Sequence, residues 1–354
     1  MTSDKRIVHQ LPELKLDALI VSALPNVRYL SGFTGSNGLL VLSDDGPTLL
    51  TDPRYAIQAA EQANCRVDIV KGSLFAAASK LIAKKRWKRL GFEANRIAWG
   101  SYSELERILP SGASLHPVSS LIETQRMVKS EVEINLIRQS VITNSKAFAS
   151  SLKRVKPTIT ETELAAEIEY QMRRHGAEKA AFETIVASGT RSALPHAQPT
   201  SHVVGNNQLL LVDMGAMQAG YASDMTRMLH LGKPGPKVRK LYKAVLEAQL
   251  AGISAVRENT TAGAVDRSTR KVLKAHGYEK LFVHSTGHGL GLEIHEAPRV
   301  GNKDKTVLKA GMVITIEPGA YIEGFGGVRI EDTVLVTKTG CEVLTPTPKE
   351  LIVV

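Results

Sequence analysis

The stretch HSTGHGLGLEIHE, residues 284–296, sets three histidines and two glutamates among closely spaced glycines. Imidazole and carboxylate are the side chains that ligate metals and move protons near neutral pH. A helical His-x-x-x-His pair would present two ligands on one face, as in zinc proteases. Gly287, Gly289 and Gly291 argue against a helix here, because each costs about 1 kcal/mol relative to alanine in a helix interior. The spacing predicts an extended segment packed closely against its neighbours.

Two further segments, both rich in strand formers, place carboxylates. In LLLVDMGAMQAGYASDMTRMLHL, residues 209–231, a chain reversal centred on Gln218 and Ala219 directly opposes Asp213 and Asp224. Their β-carbons would then stand roughly 5 Å apart on one face, where like charges repel. In TIEPGAYIEGFGGVRIEDTVLV, residues 315–336, a turn near Gly324 opposes Glu317 and Glu331 in the same way. A divalent cation between the oxygens is the simplest remedy for both pairs. The rival explanation is acids on solvated strand faces, and bulges could shift either register by one. Against it, Asp213 ends the apolar run LLLV and Glu317 ends MVITI, so both stand where buried strands emerge. With one imidazole from residues 284–296 there are five candidate ligands. An oxygen-rich set with few nitrogens suits Mn²⁺, with Co²⁺ or Zn²⁺ as less selective alternatives. Four carboxylates also exceed the charge of one divalent ion, so two metals sharing bridging carboxylates fit better.

The elements that must position these groups follow from the pattern of the chain. Its 354 residues suffice for two cores. The first third alternates strand-like runs (LDALIVSAL, GLLVLSDDGPTLLTD, RLGFEANRIAW) with an Ala-rich helix and SYSELERIL, which predicts an α/β domain over residues 1–125. The pattern changes between Ser119 and Lys129. From there Ser130 with Glu133, and Thr160 with Glu163, read as capping boxes opening two helices, the second of which Gly176 can end. Two more helices are expected at about 236–257 and 262–275, interleaved with strands, giving an α+β domain over residues 126–354.

Composition narrows the function classes. A hydrophobic share of 43% and a charged share of 23% are those of an ordinary globular protein. No apolar run is long enough to cross a bilayer, and the charged start MTSDKRIVHQ lacks a signal-peptide core, so a cytoplasmic protein without membrane contact is expected. Cys65 and Cys341 form no metal or redox motif, which fits a reducing compartment. The net charge of +10 raises the question of nucleic acid, and KKRWKR, Lys84 to Arg89, is the densest basic run. It sits where a helix gives way to a strand, and cations at a helix C-terminus explain it. No nucleic-acid partner is expected.

At the carboxylate and histidine positions the sequence resembles the pita-bread metallopeptidases, the family of methionine aminopeptidase, aminopeptidase P, prolidase and creatinase. VDMGA, SDMTR, GHGLGLEIHE, IEPG and GVRIED occur in that family's order and approximate spacing. NVRYLSGFTGSNGLLVL, TDPRY and RLGFEANRI resemble the creatinase/prolidase-type N-terminal domain of the Xaa-Pro branch, and ASGTRSALPHAQPT its short bacterial members. The resemblance implies a pita-bread catalytic domain in which Asp213, Asp224, His288, Glu317 and Glu331 hold two divalent ions. It further implies that His196, His284 and His295 face the substrate, with His295 donating to the scissile carbonyl. Arg329 would support the ligands or grip a substrate carboxylate, Glu317 would carry the proton to the leaving nitrogen, and Tyr221 would lie beside the metals. The activity implied is hydrolysis of the bond preceding proline in a peptide substrate. SGFTGSNG leans toward an aminopeptidase P-like enzyme that releases the N-terminal residue. A strict Xaa-Pro dipeptidase, a creatinase-like hydrolase and a binding protein on the same scaffold are the alternatives, and family relatives suggest a homodimer.

Overall fold

In the computed structural model, which describes residues 3–354, the chain divides between Arg126 and Met127 into two units. The first is α/β. Its six strands form one mixed sheet in the order Arg66–Ile69, Gly46–Thr51, Gly38–Ser43, Ala18–Val21, Arg89–Glu93, Ser114–Val118. Leu40 and Leu42 pack into a core on one face, Leu39 and Val41 into a core on the other, so the run GLLVL is apolar throughout because helices cover both sides. The basic run KKRWKR closes the helix Leu74–Lys85 and opens the next strand. Arg86 takes the left-handed cap with φ 56°, Lys85 pairs with Asp45 at 2.6 Å, and Trp87 packs on the core.

The second unit is α+β. Both expected capping boxes form, opening the helices Glu131–Ser151 and Glu161–Arg174, and Gly176 follows the second with φ 104°. Helices Pro236–Ala255 and Ala262–Ala275 complete the set. The strand Leu209–Met214 is central: Leu210, Val212 and Met214 pack toward the first helix pair, Leu209 and Leu211 toward Pro236–Ala255. Asp213 shares the second face by the strand's period of two. Among the described residues no helix is long and apolar enough to cross a membrane.

The two hairpins differ from each other in how far the sequence anticipates them. In the second, Ile316 pairs with Asp332, Gly319 with Arg329 and Ile322 with Gly326, so the expected register holds, with Gly324 in the turn at φ 70°. Glu317 and Glu331 therefore oppose each other. In the first, Gln218 pairs with Tyr221 and Asp213 with Thr226, not with Asp224. The turn residues are Ala219 and Gly220, with φ 48° and 74°. Two central residues with positive φ are what a tight hairpin turn matching the strand twist requires. That moves the turn centre by one position and the pairing by two. Because the shift is even, Asp224 stays on the face of Asp213, diagonal to it rather than opposite.

The glycine-spaced histidine segment is extended, as its composition predicts. Gly287–Gly289 is a strand between Glu296–Val300 and Val313–Ile316. A β-carbon on Gly287 would come within 2.0 Å of Thr315 O, and one on Gly289 within 2.2 Å of Ala297 O. Backbone contact of that kind leaves no room for a methyl group. Gly287→Ala is expected to destabilise the fold by about 1–3 kcal/mol, the usual cost of overpacking. The urea midpoint reads the effect, and an unchanged midpoint would contradict so close an approach.

Candidate metal centre and cleft

The second unit contains a cavity of about 680 Å³ lined by His196, Asp213, Asp224, His284, His288, His295, Glu317, Arg329 and Glu331. Residues far apart in sequence meet there because neighbouring strands and the loops at their ends carry them. Asp224 follows the short strand Tyr221–Ala222, Glu317 follows Val313–Ile316, and His288 lies in the glycine strand. Tyr221 is not in the cavity wall. Its ring packs with Ile134, Ile137 and Leu290, and its hydroxyl donates to Glu133 Oε1 at 3.2 Å.

Around His288 Nε2 the neighbouring carboxylates meet no positive partner. His288 Nδ1 stands 3.0 Å from Gly289 O, so this nitrogen carries the proton and Nε2 presents its lone pair. Burial holds His288 neutral by lowering its pKa to about 4. Nε2 nevertheless faces Asp224 Oδ2 at 3.5 Å and Glu317 Oε1 at 3.4 Å. These are acceptors facing acceptors. Ligand atoms of Asp224, His288 and Glu331 lie within 4.8 Å of one another. Asp213 Oδ1 and Asp224 Oδ1 are buried without a hydrogen-bond partner. Burial, then the charges of Asp213 and Glu317, push Asp224 well above the usual carboxylate range, and burial, then Asp224 and Glu317, do the same to Glu331. Burial also raises Glu317 to about 8, despite the nearby Arg329. Orphaned buried oxygens and an imidazole lone pair aimed at one point fit a divalent cation.

Arg329 is committed within the site. Its Nη2 donates to Asp213 Oδ2 at 2.6 Å, Nε to Thr226 Oγ1 at 3.1 Å, and Nη1 to Tyr321 OH at 2.7 Å and Pro195 O at 3.0 Å. Of the two expected roles, supporting the carboxylates is the one these contacts serve, through Asp213. Tyr321 OH accepts from Arg329, so its single proton goes to His284 Nε2 at 2.8 Å. His284 Nδ1 then donates to Ser285 O, also at 2.8 Å. With both nitrogens engaged, His284 offers the cleft ring carbon, and burial lowers its pKa to about 4. His295 is exposed, its ring edge-on to that of His288 with centroids 4.5 Å apart.

Sequence reasoning missed Thr226, which opposes Asp213 and donates to Glu331 Oε2 at 2.7 Å, and Tyr321. Even spacing was the available signal: Thr226 is two residues past Asp224 and Tyr321 four past Glu317. It also missed Arg299, which pairs with His288 across the ladder and lines the cleft. Among the described residues no ion pair engages Arg299.

The model of metallopeptidase family M24 matches residues 135–338, and that of the creatinase/prolidase N-terminal domain matches residues 5–128. An Xaa-Pro dipeptidase of Pyrococcus horikoshii is 38% identical, covering 98% of both chains. Among solved structures, an Xaa-Pro dipeptidase from Bacillus anthracis superposes with a TM-score of 0.96 at 37% identity. An X-Pro aminopeptidase from Thermotoga maritima superposes with a TM-score of 0.93 at 34% identity. Each alignment covers 99% of both chains.

Proposed function

Because the chain belongs to metallopeptidase family M24 and carries a creatinase/prolidase N-terminal domain, we propose that it hydrolyses the peptide bond preceding proline and releases the N-terminal residue. The observation that carries this reading is a set of acceptors facing one another: Asp224 and Glu317 across from the Nε2 lone pair of His288, Glu331 clustered with them, and Asp213 Oδ1 and Asp224 Oδ1 buried without a partner. These five residues hold divalent metal. Four carboxylates against one guanidinium leave more negative charge than a single divalent ion offsets, which favours two ions, and the oxygen-rich set favours Mn²⁺. When bound, the metals supply a hydroxide at neutral pH and polarise the carbonyl.

The chain's own groups do the rest. His295, exposed beside the ligands, donates to the oxygen of the scissile carbonyl as negative charge gathers there. Glu317 carries the proton to the imino nitrogen that leaves. His196 and the ring carbon of His284 border the space for the proline ring, which has no N–H for the site to hold. Arg329 fixes Asp213 and, through Tyr321, His284.

Arg299 favours a second reading, a strict Xaa-Pro dipeptidase. A free prolyl carboxylate entering the cleft must meet a cation or strong donors, and Arg329 is already occupied. Metal-depleted protein supplied with Mn²⁺, Co²⁺ or Zn²⁺ should be assayed on Xaa-Pro, Xaa-Pro-Xaa and the amidated dipeptide. Cleavage of all three is expected; turnover confined to the free dipeptide establishes the second reading, and turnover of none overturns both. If Arg299 grips the carboxylate, Arg299→Gln raises KM for the free dipeptide about 10-fold to 100-fold, the worth of a hydrogen bond to a charged group. The amidated peptide should be little affected.

A further inference from the structure

The segment ASGTRSALPHAQPT carries His196, yet its arginine has no part in the site described so far. Its only regular structure beyond Ser188 is the short 3-10 turn Gly189–Ala193, and from there to Thr200 it runs as loop. Its inner side nevertheless makes specific contacts. Pro195 O accepts from Arg329 Nη1, Ser192 Oγ accepts from Gly327 N at 2.9 Å, and His196 and Gln198 line the cleft. Something outside the loop must fix it.

Both ends of the loop terminate on one carboxylate. Glu161, the first residue of the helix Glu161–Arg174, is fully buried. Its Oε1 accepts from Ser188 N at 2.9 Å and Ser188 Oγ at 3.3 Å, its Oε2 from Thr200 N at 3.1 Å and Thr200 Oγ1 at 3.0 Å. Arg191 Nε bridges the two oxygens at 3.1 and 2.9 Å, and Arg191 Nη2 reaches on to Gln198 O at 2.6 Å. A buried carboxylate is costly unless fully satisfied, and this one is satisfied entirely by the loop it closes.

We propose that Glu161 is a positioning residue for His196: with Arg191 it pins Ser188 and Thr200 to one point and so sets where His196 stands in the cleft. The geometry makes the two oxygens inequivalent in what they hold. A glutamine at this position must turn its NH₂ toward either the Ser188 or the Thr200 amide, a donor facing a donor, and release that end. The kinetic part of the proposal rests on the Xaa-Pro peptidase reading; the structural part does not.

Glu161→Gln and Arg191→Lys are to be compared with wild type in the full, metal-loaded chain. Arg191→Lys keeps the charge beside Glu161 but loses the fork that also reaches Gln198 O, and it carries the test if Glu161→Gln does not fold. Backbone hydrogen exchange should accelerate across residues 189–200 and stay unchanged in the strand 209–214. Catalytic efficiency (kcat/KM) per bound metal should fall about 10-fold to 100-fold in Glu161→Gln, the scale of a misplacement near 1 Å. In a His196→Ala background the same substitution should cost less than about 3-fold, because its effect runs through the side chain already removed. Equal losses in both backgrounds mean a purely structural residue and overturn the proposal. Unchanged exchange across 189–200 in both variants overturns it whatever the activity. A wild-type chain that cleaves no Xaa-Pro bond refutes the peptidase reading instead, and the exchange measurement still decides whether Glu161 holds the loop.

Discussion

Asp224→Asn should abolish hydrolysis and empty the centre of metal. The substitution preserves shape and removes one charge, and its amide nitrogen brings donors into a space built from acceptors. Asp224 Oδ2 lies 3.5 Å from His288 Nε2, Oδ1 has no other partner, and the same side chain shares a cluster with Glu331. A carboxylate so placed meets ligand candidates on either side of it, so its loss affects the whole centre rather than one ligand pair. A loss of at least about 1,000-fold in kcat/KM is expected, because without metal no hydroxide forms at neutral pH. Exhaustive chelation of the wild type should reproduce it, with recovery on adding Mn²⁺ or Co²⁺. Elemental analysis of dialysed variant protein provides the check. Undiminished metal occupancy would remove Asp224 from the centre.

His295→Ala and His288→Ala should separate two histidines whose rings are only 4.5 Å apart. His288 is fixed from behind by Gly289 O and aims its lone pair at the carboxylates, so its loss should cost metal. His295 is exposed on the cleft side, and its loss should leave metal in place while kcat falls about 100-fold to 1,000-fold, the usual worth of one oxyanion donor. Metal content and kcat measured on the same preparations decide the matter. If both variants lose metal to the same extent, the division of roles between them fails.

The comparison of the two hairpins shows what was legible in the sequence and why. Gly324 marks the turn of the second, and from it the opposition of Glu317 and Glu331 follows by counting. The first has an alanine at positive φ, a conformation that composition does not announce, and the count is off by two. The carboxylates still share a face because parity survives an even shift. The capping boxes were readable because their partners are three residues apart. Spacing could put Thr226 and Tyr321 on the right face but not show what they or Glu161 bind, because their partners are fixed by packing between separate segments: Thr226 donates to a residue 105 positions away. The commitment of both His284 nitrogens likewise depends on Tyr321 and the local backbone, which no spacing reveals.

The crowding of acceptors in the centre also concerns the lifetime of the protein. Burial and mutual repulsion lift three carboxylates out of their ordinary range, so a cation bound among them favours the charged form of each. Metal binds the folded form, and by mass action each tenfold rise in free metal above the dissociation constant adds about 1.4 kcal/mol per site to the stability. The melting midpoint, followed against free metal, should climb accordingly. In a cell the unfolded fraction is what proteases remove. Scarcity of the metal would then thin the population of molecules as well as idle them, and the amount of this peptidase would follow the supply of the ion it uses.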